Sequence, residues 1–495
     1  MSEARGCAPW AMEWIRPAQP DTLFISSITI GEMTAWHRAS ATSLIAAYAA
    51  GSVTPVDVLD AVLARLDAVN PALNAVIATD PAAARRQAEA SAARWRSNAP
   101  LGALDGIPFT VKDNIVTAAL PTRWGCPVFR DFQGERDELP VARMLAGGAV
   151  LVGKTNVPEL TLMGYTDNTL FGPTGNPWNP ALTPGGSSGG AVSAVAAGIG
   201  PVALGTDGGG SIRRPASHTG LVGLKPTPGR IPRCDGLPAI LLDFEVIGPI
   251  ARTVGDIWTV TRALAARDAR DPASRMLPDL GAMPPARPSR ILYVPRFGAH
   301  PVDPEIAASV AAAARHMADL GHEVSEGPPP FDPDEVALIQ STVSAAGLAW
   351  LMRERQASPA AAILQQTAER GAAMPAADLF QALDDVGRLR RTMSVFFETT
   401  DVLMTPSAAA LPWPKTESHP PVIAGQPVGP RGHAVFTAFA NAGGLPGLAL
   451  PCERSAAGLP IGFQLVGPYG ADAALLALGL QYEAAHPWAD AWPAG

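Results

Sequence analysis

The sequence predicts one large α/β domain, a central sheet covered by helices. Short β-branched runs separated by Gly and Pro clusters, among them IPFTV at 107–111, AVLVG at 149–153 and PVALG at 201–205, have the punctuation of buried strands. Stretches with helical spacing stand on either side of them. At roughly 150 residues per domain the 495 residues could make about three domains. No repeat of fixed period and no dividing linker interrupts them, so a single core is expected.

The elements follow in order. Residues 1–34 lack a basic stretch followed by an apolar run, so they read as an N-terminal arm without a secretion signal, and the domain is expected over 35–495. From Ala41 to about Asn98 the text is Ala-rich and helical: Leu59, Val62, Leu63, Leu66 and Val69 recur at three and four after a Thr54-Pro55 start. Strand text fills 105–223. Near Arg290 a strand (ILYVP) restarts, and a helix follows with Asp303 as cap, Pro304 in the first position, Ile306, Val310, Ala313 and Met317 on one face, and Gly321 as the stop. The segment from about 335 to 398 is helical, with Leu379, Leu383, Val386, Met393 and Phe397 keeping a face, and could cap a pocket. Strand text returns at 402–406 and 461–467, and a last helix runs from about Asp472 to Ala485.

Composition narrows the function. Apolar residues make up 47% and charged residues 17%, which describes a globular protein. The net charge of −8 lacks the basic footprint of a nucleic-acid binder, so a small-molecule partner is favoured. Cys7, Cys126, Cys234 and Cys452 are too dispersed for a metal pair and too few to staple the chain, and they read as reduced thiols of a cytoplasmic protein. The charge-free stretch Asn168 to Thr206 is broken by prolines and glycines and cannot span a membrane as a helix.

Of the 37 basic residues only Lys112, Lys154, Lys225 and Lys415 are lysine. With surface cations written as Arg, each Lys is a candidate for a task Arg cannot do, such as losing a proton near neutral pH.

Three motifs compete. Gly148 to Thr155 fits the phosphate-loop pattern GxxxxGK[ST], and a nucleotide-binding protein is the reading from a different class. Its middle residues Ala-Val-Leu-Val are strand text, and Pro158 stands where the next helix should run. Gly186-Ser187-Ser188-Gly189-Gly190 fits GxSxG, but loop text precedes it and no histidine follows in a suggestive setting. The third combines Gly185 to Gly190 with Ser211, which closes Gly208-Gly209-Gly210-Ser211. Consecutive glycines let backbone amides converge on one anion beside the serine. A neutral lysine can replace histidine as the base, and Lys112 ends a buried strand where desolvation lowers its pKa.

At these residues the sequence resembles the amidase signature hydrolases. The resemblance runs from about Ala35 to the C-terminus and is densest at about 104–232, through LDGIPFTVKDNI, GGAVLVGKTNVPEL, FGPTGNPWNPALTPGGSSGG and GTDGGGSIRRPASHTGLVGLKPTPGRIP. It implies a mixed sheet and a Ser-Ser-Lys triad with Ser211 as nucleophile, Ser187 as bridging serine after a cis peptide from Gly186, and Lys112 as base. The amides of Gly208, Gly209, Gly210 and Ser211 would form the oxyanion hole, with Ser188, Asp207 and Arg213 in support. The implied reaction hydrolyses a small carboxylic amide through an acyl-enzyme without metal or cofactor. Carbamates, ureas and esters pass through the same chemistry, and the glutaminase subunit of a tRNA-dependent amidotransferase is the alternative within the family. A homodimer is left open. Substrate groups beyond the scissile bond are expected near 335–398 and near Trp124, Phe129, Met163 and Trp178.

Overall fold

The computed structural model describes residues 36–493. The expected arm and Cys7 lie outside them. Eleven strands form one mixed sheet. In chain order they are β1 (Val76–Ala78), β2 (Pro108–Lys112), β3 (Val150–Thr155), β4 (Val202–Asp207), β5 (Val222–Lys225), β6 (Val246–Ala251), β7 (Arg290–Tyr293), β8 (Glu323–Glu326) and β9 (Val402–Pro406), then, past a small ribbon of β10 (Val422–Ile423) and β11 (Gln426–Pro427), β12 (Gly447–Cys452) and β13 (Ile461–Val466). Their order across the sheet is β1-β3-β2-β4-β6-β5-β12-β13-β9-β7-β8. β2 runs parallel to both β3 and β4, whereas β6 is antiparallel to β4.

Every residue of β2, β3 and β4 is buried, because helices cover both faces. That double cover is why these strands are continuous apolar runs rather than alternating ones. The helix Gly189–Ala197 is buried along its whole length and begins directly after the serine pair.

The helical text from Ala41 to Asn98 contains a strand, which corrects the expectation there. The helix Pro55–Leu73 opens on Thr54 in a capping box with Asp57 and ends at Asn74 in the left-handed conformation. Asn70 Oδ1 accepts the amides of Ala75 and Val76, which turns the chain into β1. Strands β5, β6, β8 and β12 and the β10–β11 ribbon also lie outside the expected set. In β6, Pro249 sits opposite Leu204 in mid-strand, a residue that argues against a strand from sequence.

The cap segment is three helices, Pro333–Arg355, Ala362–Ala373 and Ala376–Phe396. The first is long and apolar enough to cross a membrane by length and composition, yet half of its most apolar window is buried inside the domain. Glu159, in the short turn after β3, holds the cap: this side chain, 4% exposed, accepts the amides of Ala360 and Ala361 at 2.7 Å each. Glu159→Ala leaves both amides without that acceptor and is expected to cost about 2 to 4 kcal/mol. Hydrogen exchange should report the loss first at residues 360–364, and unchanged protection there would refute the clamp.

Candidate active site

Lys112 is the last residue of β2, fully buried between β3 and β4. Its Nζ lies 2.8 Å from Ser187 Oγ and from Thr206 Oγ1, and 3.2 Å from the Thr206 carbonyl. Asn114 Nδ2 donates to the same Thr206 hydroxyl at 3.0 Å. No carboxylate stands within ion-pair distance of this amine among the described residues. Burial pushes its pKa down to about 7, against the pull of Glu245 and Asp207 and with the help of Arg233 and Arg214.

The other buried lysines differ. Lys154 Nζ donates to the Ile115 carbonyl and to Thr122 Oγ1, and lies 3.8 Å from Asp113 Oδ1, so it pins the turn after β2. Val150 to Thr155 is strand β3, which removes the loop a phosphate cradle needs. Among the described residues Lys225 donates only to the Pro226 carbonyl, at 3.1 Å, and to no hydroxyl.

The turn after β4 is built on Asp207. Its Oδ1 accepts from Gly210 N at 2.6 Å and Asn441 Nδ2 at 3.0 Å, and its Oδ2 accepts from Ile212 N at 3.1 Å. Arg213 grips both oxygens at 3.0 Å through Nε and a terminal nitrogen. Burial alone would raise this carboxyl, but the Arg213 guanidinium and these donors hold it far below the usual range. Arg213 in turn reaches Thr437 O, Gln464 Oε1 and Asn441 Oδ1.

This geometry amends the expected oxyanion hole. The Gly210 amide is committed to Asp207, while those of Gly208, Gly209 and Ser211 have no acceptor among the described residues. Gly210 has φ +109°, and a Cβ there would collide with Thr437 Oγ1 and the Arg214 guanidinium. At Gly209 a Cβ would make only ordinary contact, 3.4 Å from Gln340 Nε2.

The serines meet across two loops. The Gly186–Ser187 peptide is cis. Ser188 N donates to Ser211 O at 3.2 Å, and Ser188 Oγ donates to Thr206 O at 3.2 Å, so Ser188 is an internal tie. Ser211 Oγ makes no hydrogen bond among the described residues, and the residue is 8% exposed.

Of the residues expected to meet substrate, Trp124 and Phe129 pack edge to face at 5.3 Å within the core under the cap. Trp178 donates to the Thr219 carbonyl, at the far end of the helix Arg213–Thr219 from Ser211. Met163 is partly exposed, two residues before Tyr165, whose backbone lies against Gly186. Sequence reading missed Thr206, Gln340, Thr437 and Asn441. Asn114, two positions after Lys112, was the one with a local signal.

Known proteins resemble this chain over most of its length. The family model described as Amidase matches residues 57–476. An acylamidase of Rhodococcus erythropolis is 33% identical over 473 residues, spanning 92% of this chain and 98% of that protein. A glutamyl-tRNA(Gln) amidotransferase subunit of Synechococcus sp. (strain CC9605) is 34% identical over 467 residues, spanning 88% and 94%. A bacterial aryl acylamidase described as an amidase signature enzyme superposes with a TM-score of 0.84 at 28% identity, covering 92% of this chain and 97% of that one.

A buried neutral amine costs stability. With its folded pKa at about 7, below the unfolded value, Lys112 binds fewer protons when folded, so the penalty is full below about pH 7 and vanishes as pH rises toward the unfolded value. Lys112→Met removes a penalty of roughly 4 to 5 kcal/mol and leaves hydroxyl partners unmatched at about 1 to 3 kcal/mol. A net gain of about 2 kcal/mol at pH 7, shrinking by about pH 9.5, is expected in urea unfolding. A variant less stable than wild type at pH 7 would contradict the buried-amine account.

Proposed function

The chain belongs to the amidase signature family, and on that premise we propose that it is a stand-alone hydrolase of small carboxylic amides, working through an acyl-enzyme on Ser211. The observation that carries this reading is the 2.8 Å approach of Lys112 Nζ to Ser187 Oγ in a fully buried setting. A neutral amine has two N–H groups and one lone pair. The carbonyl and hydroxyl of Thr206 can accept both N–H groups, which leaves the lone pair to the Ser187 hydroxyl.

In this reaction Ser211 Oγ attacks the amide carbon while its proton passes to Ser187, whose own proton passes to Lys112. The free amides of Gly208, Gly209 and Ser211 are available to the oxygen that gains charge. The ammonium of Lys112 then returns its proton through Ser187 to the leaving nitrogen, the C–N bond breaks, and the amine departs. Water attacks the ester by the same relay and releases the acid.

The amidotransferase reading requires partner subunits and tRNA. Release of amine by the purified chain alone, across a panel of aryl, alkyl and amino-acid amides, supports the hydrolase. Glutamine hydrolysis seen only with added partner subunits and tRNA would favour the alternative.

Ser211→Ala is expected to fold normally and to lose about 10⁴- to 10⁶-fold in kcat. A covalent adduct mapped to Ser188 instead would move the nucleophile. For the base, kcat/KM should rise with pH through about 7 as the Lys112 ammonium loses its proton. Lys112→Arg cannot offer a lone pair and should be as inactive as Lys112→Ala; retained activity would make Lys112 an anchor only. Gly209→Val fits sterically at its first carbon and should cost about 10²- to 10³-fold in kcat by disturbing one amide donor. Normal turnover there would mean that this amide does not serve the oxyanion.

A further inference from the structure

Position 214, three residues past the nucleophile, carries an arginine that is 2% exposed. Its guanidinium donates through one terminal nitrogen to the Gly209 carbonyl and, at 2.8 Å, to Thr437 Oγ1. The other terminal nitrogen lies 3.5 Å from the Gly186 carbonyl. One side chain therefore touches the loop that ends in Ser211 and the peptide that leads into Ser187. Among the described residues no carboxylate stands within ion-pair distance of it, and Asp207, which acts on it from farther off, is paired with Arg213.

We propose that Arg214 is a positioning residue for this reaction: it braces the nucleophile loop against the bridging-serine loop, and its unpaired charge disfavours a second cation at Lys112. The inference rests on the Ser211–Ser187–Lys112 reading above. The charged groups that bear on Lys112 are Glu245 and Asp207, which favour the ammonium, and Arg233 and Arg214, which oppose it. Glu245 is tied to Arg233, and Asp207 to Arg213, so these partly cancel. Farther along the chain, Asp113 and Lys154 neutralise each other at 3.8 Å. Arg214 makes the smallest of these contributions, and it has no ion-pair partner among the described residues, Asp207 acting on it only from farther off. Arg431, also cationic, opposes Arg214 itself, and His218 and His433, both buried with pKa values lowered chiefly by burial, add no negative charge.

An alkyl fluorophosphonate tests this without knowledge of the substrate. The Ser211 Oγ–P bond forms, the P–F bond breaks, fluoride leaves, and the serine proton moves through Ser187 to Lys112. The labelling rate against pH gives a midpoint, set by the base, and a plateau, set by loop geometry. Removing a unit positive charge should raise the midpoint by about half to one pH unit, while loosening the brace should lower the plateau roughly 10- to 100-fold.

Arg214→Gln is expected to do both. Arg214→Lys keeps the charge, so its midpoint should stay at the wild-type value while its plateau falls. Thr437→Val removes a neutral tie to the Gly209 carbonyl and should lower only the plateau. A wild-type midpoint in Arg214→Gln, or an equal shift in Thr437→Val, overturns the electrostatic role. A wild-type plateau in Arg214→Lys overturns the brace, and this arm decides that half even where Arg214→Gln does not fold. Labelling of Ser211→Ala or Lys112→Ala at the wild-type rate would instead sink the triad reading. Inactivity of those two beside a wild-type curve for Arg214→Gln sinks this inference alone.

Discussion

The carboxylate of Asp207 is the constraint around which the site is organised. A buried anion with no partner is strongly disfavoured, so the chain after β4 must supply donors at once. It does so by curling the turn over the carboxylate, giving it the amides of Gly210 and Ile212 and the guanidinium of Arg213. Once those bonds are made, Ser211 has little freedom, because the amides on both sides of it are fixed. The Gly210 amide is spent in the process. The amides are thus divided within one turn, some holding the turn and others left without an acceptor among the described residues.

Burial of Lys112 is the second constraint, and its setting differs from those of the other buried lysines. Lys154 is equally buried, but Asp113 at 3.8 Å supports its charge. Lys225 is pushed down to about 7 as Lys112 is, yet its amine faces a backbone carbonyl. Among the described residues only Lys112 combines a depressed pKa, a serine hydroxyl at hydrogen-bond distance and no carboxylate within ion-pair distance. Desolvation alone does not make a base; a proton source must lie within reach of the lone pair.

These contrasts explain what was legible in the sequence. The strands β2, β3 and β4 were readable because double burial writes them as apolar runs, and the scarcity of lysine drew attention to Lys112. The glycine clusters located both serine loops. The long-range partners were not readable: Thr206 lies 94 positions from Lys112, and Asn441 lies 234 from Asp207. Pro249 hid β6, since a missing N–H argues against a mid-sheet strand in local text. The commitment of Gly210 was hidden as well, because four consecutive amides look equivalent until the position of one carboxylate breaks the symmetry.

The cap is more than a lid. Gln340, on the first cap helix, donates from Nε2 to the Gly208 carbonyl at 3.1 Å. In a planar trans peptide the carbonyl and the following N–H point in opposite directions, so holding the Gly208 oxygen sets the direction of the Gly209 amide. That amide has no acceptor within the described protein. The far face of the same peptide is therefore oriented by a side chain 132 positions downstream, from the segment expected to meet the substrate. Glu159 ties the cap to the turn after β3 by a separate route. The seating of the cap is consequently felt at an amide two residues before Ser211, which couples the helical segment to the turn after β4.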